Sequence, residues 1–123
     1  IRIFQFDLDR QPALPLEIPS VDQIFMLAIV EHLQYPREVL HKLFKILRSG
    51  GEIYITVPTP PAQPVLEFLA FRLGIVDAAE IKDHKHYFSK KELEDLIHEV
   101  GFLTIRHTFF EFGFNQLIVA RKP

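Results

Sequence analysis

The sequence predicts an α/β domain built on a mostly parallel sheet. Two observations carry that expectation: short apolar runs alternate with amphipathic stretches of helical period, and the pair Gly50-Gly51 opens one apolar run directly after such a stretch. A third adds an antiparallel pair at the end, because the last two apolar runs flank a turn carrying Gly113 and Asn115.

The elements follow in order. Residues 1–8, I-R-I-F-Q-F-D-L, read as a strand ending at Asp7. Residues 9–20 hold Pro12, Pro15 and Pro19 and read as a loop. Residues 21–28 are almost wholly apolar after Asp22, the pattern of a strand buried on both faces. Pro36 opens a helix, since proline suits the first helical turn. Leu40, Leu43, Phe44 and Leu47 then make an apolar stripe, and Gly50-Gly51 supply a left-handed stop. Residues 52–57 form the next strand, and Pro58, Pro60, Pro61 and Pro64 force an irregular connection. Residues 65–73 predict a short helix closed by Gly74. Ser89 and Glu92 form a capping box at the start of a helix that runs to Val100, with Leu93, Leu96, Ile97 and Val100 as its buried stripe and Gly101 as its stop. Residues 102–110 and 114–120 are the last two strands.

Composition bounds the function. A chain of 123 residues makes one domain at most, and 48% apolar residues suffice for a core. A charged share of 24% is that of an ordinary globular protein and argues against disorder. The net charge of -2, with no basic run of five or more, gives no electrostatic case for nucleic acid or an anionic membrane. There is no cysteine, hence no disulfide framework, thiolate metal site or cysteine nucleophile. No apolar run approaches the ~18 residues of a membrane span, and no signal peptide is visible. Cytoplasm is the expected location. The first residue is Ile1 and the chain enters in a strand-like pattern, so the expectation is a chain that begins inside a fold.

In parallel α/β sheets, ligands bind beyond the carboxyl ends of the strands. Asp7-Leu8, residues 26–32 and Val57-Pro58 occupy such ends, which predicts a small-molecule site without saying which molecule.

Asp7-Leu8, Leu14-Pro15, Asp22, Glu31-His32-Leu33, Leu47-Arg48-Ser49-Gly50-Gly51, Val57-Pro58, the strip 84–89 and Gly101-Phe102 occur in that order. Their order and spacing resemble a class I S-adenosylmethionine-dependent methyltransferase of the small-molecule, Glu-His-Leu type, over nearly the whole chain. The resemblance implies a Rossmann-like three-layer sandwich whose third strand is at residues 1–8. It places the fold's first strands, with the glycine-rich loop and the ribose-binding acid, upstream of Ile1. The five glycines form no Gly-x-Gly. Residues 1–123 would then be a partial methyltransferase domain.

The resemblance also implies roles. Asp7 accepts a hydrogen bond from the adenine amino group of S-adenosyl-L-methionine, with Leu8 beside the ring. Met26, Leu27 and Ala28 run past the methionine part of the cofactor, and His32 lies close to the sulfonium. If the acceptor must lose a proton, His32, His84 or His86 could take it. The acceptor is expected to be a small molecule, shaped by residues 58–88.

Other readings stay open. Asp7 could begin an Asx turn with Asp9, or pair with Asp9 as a weak divalent-metal site. Glu31-His32 could be a purely structural helix start. Asp83, His84 and His86 could hold zinc, but spacing fixes no third ligand. His41, His98 and His107 fall at exposed or edge-facing positions and receive no role. Of the twelve phenylalanines, Phe109, Phe110, Phe112 and Phe114 cluster; most are expected in the core. Ser20 and Ser49 have no hydrolase context. A chain from which the first strands are missing also suggests a non-catalytic remnant that associates, as a homodimer, through an open sheet edge.

Overall fold

Four strands form one mixed sheet in the computed structural model of the chain, which describes residues 5–10, 21–74 and 86–123. The elements are β1 (Val21–Leu27), α1 (Pro36–Ile46), β2 (Leu47–Pro58), α2 (Ala62–Phe71), α3 (Lys90–Val100), β3 (Leu103–Phe110) and β4 (Asn115–Arg121). A 3₁₀ turn at Val30–His32 links β1 to α1. The strand order is β1-β2-β4-β3. β1 and β2 are parallel, and β4 is antiparallel to both β2 and β3. The antiparallel strand β4 lies between β2 and β3, and the C-terminal hairpin forms one end of the sheet among the described residues, as the sequence suggests.

One face of the sheet carries the core. Ile53, Ile55 and Val57 alternate with partly exposed residues along β2, and they join Met26, Ile118 and Ala120. Val39, Leu40, Leu43 and Ile46 of α1, with Leu93, Ile97 and Val100 of α3, pack into the same cluster. Helical period supplies one apolar stripe per helix, and both stripes meet the same alternating strand positions. Phe44 meets Phe102 edge-on at 4.9 Å beneath them.

The opposite face is more open. Phe25 of β1 stacks on Tyr54 of β2 at 4.7 Å, yet Phe25 and Leu27 are each 57% exposed. β1 is thus not buried on both faces; Met26 alone is buried in it. The expectation fails because β1 is an edge among the described residues and α1 and α3 both cover the other face.

Three local expectations also change. The described part of the first expected strand, residues 5–8, forms no strand: 5–7 are irregular and a turn covers 8–10. Asp7 Oδ1 accepts the N–H groups of Asp9 and Arg10, and this side-chain competitor bends the chain out of extension; residues 1–4 lie outside the described residues. Helix α1 ends at Ile46, where Leu47 turns extended and becomes the first residue of β2, so Gly50-Gly51 interrupt a strand rather than stop a helix. α2 starts three residues earlier than expected because Ala62 N–H reaches Thr59 O at 2.9 Å and Pro64 fits the first turn.

The third helix forms as the sequence predicts. Ser89 Oγ accepts the Glu92 N–H at 3.1 Å and Glu92 Oε1 accepts the Ser89 N–H at 3.3 Å. Gly101 closes α3 with φ 118°. β3 and β4 form the expected hairpin, joined by residues 111–114, of which Glu111, Phe112 and Gly113 have positive φ.

Candidate functional site

The carboxyl ends of β1 and β2 point the same way, as parallel pairing requires. At the end of β1 the chain breaks pairing through Ala28, which adopts φ 57°. Its N–H donates to the Thr56 carbonyl at 3.1 Å and to Thr56 Oγ1 at 3.0 Å. These two contacts hold a non-glycine residue in the left-handed region. Residues 28–32 then climb over the strand end, as His32 N–H bonds Ile29 O and Leu33 N–H bonds Val30 O.

The segment 7–10 docks against the residues that follow this turn. Asp9 Oδ1 accepts the N–H of Tyr35 at 3.0 Å, and both Asp9 oxygens lie 3.1 Å from the N–H of Gln34. Lys42 Nζ donates to Leu8 O at 2.9 Å. The segment 7–10 is therefore tied to the start of α1, at Gln34, Tyr35 and Lys42, shortly after residues 26–32 in the chain.

Within that region the residues differ. Asp7 is half exposed; its Oδ1 closes the Asx turn and its Oδ2 lies 3.7 Å from Arg10 Nε. Leu8 packs partly against the core. Met26 is 3% exposed and points into the core, so it can offer a ligand only backbone. Leu27 and Ala28 are exposed. His32 is a quarter exposed, with Nε2 3.7 Å from Glu31 Oε1.

Glu31 was not singled out by the sequence apart from its neighbour. It is 1% exposed, and its Oε2 has no hydrogen-bond partner among the described residues. Burial pushes its carboxyl above the usual range, against the smaller opposing effects of its own backbone N–H and of His32. Tyr87, close by, is raised first by burial and then by the charges of Glu67 and Glu31.

Leu33, Gln34, Pro36, His86 and Phe88 line a cavity of about 350 Å³. His86 Nε2 lies 2.7 Å from Glu92 Oε2, and its ring meets Phe88 edge-on at 4.4 Å. The hydrogen bond from His86 is the main reason that the Glu92 carboxyl is held below its usual range. Asp83 and His84 lie outside the described residues. Among the described residues, no three His, Asp or Glu side chains gather as metal ligands. No described helix is long and apolar enough to cross a membrane.

His107 overturns its sequence reading. Its side chain is 4% exposed, with Nδ1 2.8 Å from Glu94 Oε1 and Nε2 2.7 Å from Gln116 Oε1. The bulge between Thr104 and Arg106 sets the face on which His107 falls, and bulges are not legible in an apolar pattern. His98 instead bonds Thr104 Oγ1 at 2.9 Å, and His41 is exposed.

Solved structures share this architecture. A chain of the complex between a Haloferax volcanii methyltransferase activator and a methyltransferase superposes with a TM-score of 0.75 at 16% identity, over 96% of this chain and 60% of that one. A Thermotoga maritima S-adenosylmethionine-dependent methyltransferase, described as a possible histamine N-methyltransferase, gives 0.67 at 19% identity, over 91% and 60%. The [4+2]-cyclase SpnF gives 0.71 at 11% identity, over 96% and 54%. At such identities the likeness shows the fold, which is Rossmann-like, and one of the three carries a different chemistry in its name. The chain spans about 60% of the length of the first two. No match was found among curated protein sequences. The family described as "Methyltransferase domain" matches residues 3–107, most of the chain, and the chain therefore belongs to that methyltransferase family.

Proposed function

We propose that this chain takes part in S-adenosylmethionine-dependent methyl transfer to a small-molecule acceptor, as a partial methyltransferase domain within a longer protein. The observation that supports it most is the tie between the Asp7-Leu8 turn and the start of α1, through Asp9 and Lys42. The family resemblance implies adenine-side residues in that turn and methionine-side residues in the segment that leads into α1.

The residues present suit the cofactor's outer wall. The Asp7 carboxylate is accessible and pre-oriented by two N–H groups, so it can accept from an amino group at little ordering cost. Leu8 would lie beside the adenine. Leu27 and Ala28 would line the methionine part with side chains, and Met26 with backbone alone. His32 would stand near the sulfonium. When bound, S-adenosyl-L-methionine supplies an electrophilic methyl group. The protein's contribution is then orientation, with acceptor and cofactor held in line. An acceptor that must lose a proton needs a base, and His32, His84 and His86 are the choices. The cavity beside His86 and Phe88 is the acceptor side, and the cytoplasm is the compartment this reading expects.

The test is calorimetric titration of S-adenosylhomocysteine into the longest native chain that contains these residues. Saturable binding supports the reading; no binding contradicts it.

A second reading is favoured by one observation. The outer edge of β1 pairs with no strand among the described residues, and Phe25 and Leu27 stand more than half exposed beside it. Such an edge is a template for association, so a non-catalytic module that forms a homodimer fits it. Light scattering on the chain alone decides: a monomer at all concentrations removes this reading.

A further inference from the structure

We propose that helix α2 and the tip of the β3–β4 hairpin form one docking surface for a zwitterionic lipid bilayer. Both lie at the carboxyl end of β2, where Pro58 pairs with Asn115. The buried Thr59 ties them together. Its carbonyl accepts the N–H of Ala62, at the start of α2, at 2.9 Å. Its own N–H donates to Phe114 O at 2.9 Å, and its Oγ1 donates to Gly113 O at 2.6 Å. Helix and hairpin tip are thus joined by one residue.

α2 is apolar on two sides. Ala62 and Ala70 are buried and Leu66 and Leu69 partly so, on the side turned to the protein. Val65, Phe68 and Phe71 follow at steps of three on an exposed side, with Phe68 at 54%. Water-facing helix sides are ordinarily polar. Here the polar pair Gln63 and Glu67 is confined to a strip between the two apolar sides, with Gln63 Nε2 donating to Glu67 Oε1 at 3.1 Å. Phe112 is wholly exposed at the hairpin tip and adopts φ 59°, a region that disfavours a bulky side chain. Neither folding nor solubility favours phenylalanine there. Exposed apolar clusters of this kind mark contact surfaces.

Shape and charge select the occupant. A helix flank and a hairpin tip are protrusions of different form, and a fluid bilayer receives both without a matching recess. The charged residues of the two elements and the helix end are Glu67, Arg72 and Glu111. They form no basic cluster, so anionic lipid adds no attraction, and a surface carrying both signs in its headgroups matches them. The acids are drawn to neighbouring amides, Glu67 to Gln63 and Glu111 Oε2 to Asn115 Nδ2 at 2.9 Å. Arg72 ends the helix, and its long stem lets its charge reach the headgroups. The 10 residues of α2 extend only ~15 Å, about half a bilayer core, so the helix lies on the surface and does not cross it. Docking needs neither cofactor nor turnover, so its failure and that of the methyl-transfer reading are separable.

The test is flotation of the full native chain with vesicles of pure phosphatidylcholine. The chain is expected to float with them equally at ~0.1 M and ~1 M salt, because charge attraction plays no part. Phe68→Asp and Phe112→Asp should each lower the partition coefficient at least about tenfold, through the lost burial of one phenyl ring, with circular dichroism unchanged. The sequence has no tryptophan, so Phe112→Trp is a single reporter at the tip, and its emission should shift to the blue on vesicles. No flotation with phosphatidylcholine overturns the proposal. So does flotation that requires anionic lipid or is lost at high salt, an unshifted Phe112→Trp emission, or unchanged partitioning of the aspartate variants. A dimer by light scattering that does not float overturns it too and assigns the surface to a second copy. Wild-type flotation and the Phe112→Trp emission decide even if the aspartate variants do not fold.

Discussion

Asp9 Oδ1 accepts the backbone N–H of Tyr35 at 3.0 Å, across 26 positions of sequence. Tyr35 directly precedes α1, whose N-terminal N–H groups need acceptors, and Tyr35 itself offers no side-chain cap. Asp9 therefore does from a distance what the N3 side chain of a capping box does locally, taking the N–H of the N-cap residue, and in doing so it ties the Asp7 turn to the start of α1.

Asp9→Ala should lower stability by about 1–2 kcal/mol, the usual loss for a cap, and should weaken cofactor binding by releasing the Asp7 turn. Urea unfolding followed by circular dichroism measures the first effect. A stability equal to wild type would show that the loop is held by Lys42 and apolar contact alone.

Glu31 and Glu92 should impose opposite pH dependences. Burial raises Glu31 in the folded state. The native protein then keeps a proton that the unfolded chain has released, so stability falls as pH rises through the folded value. Glu31→Gln removes this cost. It should gain on wild type by about 1–3 kcal/mol at neutral pH and converge with it below about pH 4. A variant less stable than wild type at neutral pH would mean that the buried carboxylate is compensated.

The Glu92 carboxyl is lowered, first by its bond to His86. Its contribution is present above the ordinary carboxylate range and is lost as pH falls. Glu92→Gln should flatten the acid side of the stability profile. Unfolding midpoints taken from pH ~3 to ~7 check this, and an unaltered acid limb would refute it.

Gly51 is constrained where Gly50 is free. A Cβ on Gly51 would stand 2.7 Å from Leu47 Cδ1, 2.8 Å from Arg48 O and 2.9 Å from Asp22 O. Two of these are backbone atoms that cannot yield without moving β1 from β2. Gly51→Ala should cost more than about 2 kcal/mol. Gly50 has φ +81° but open space, so Gly50→Ala should cost only about 1 kcal/mol. Equal costs would show that β1 shifts freely.

Much of this fold is legible in the sequence because its signals are local. Ser89 and Glu92 sit three apart and cap α3 as that spacing demands, and the α1 stripe at Leu40 and Leu43 meets the core as its period requires. What stays hidden is set by distant partners. The exposure of Phe25 depends on what covers the far face of β1, and the insertion of β4 between β2 and β3 depends on pairing over more than fifty residues. The site divides the same way. Asp7, Leu8 and residues 26–32 are legible by order along the chain. The link that ties the Asp7 turn to α1, Asp9 to Tyr35, is not, and neither is the network of Glu94, His107 and Gln116, whose members lie 13 and 9 positions apart.

The most direct test of the account is the affinity of S-adenosylhomocysteine for the longest native chain, measured by calorimetry for wild type and for Asp7→Ala. Loss of a hydrogen-bond partner for the adenine amino group predicts binding weaker by about 1–3 kcal/mol, roughly 5- to 150-fold, with the fold intact by circular dichroism. An unchanged affinity in Asp7→Ala would contradict the assignment of this turn to the cofactor.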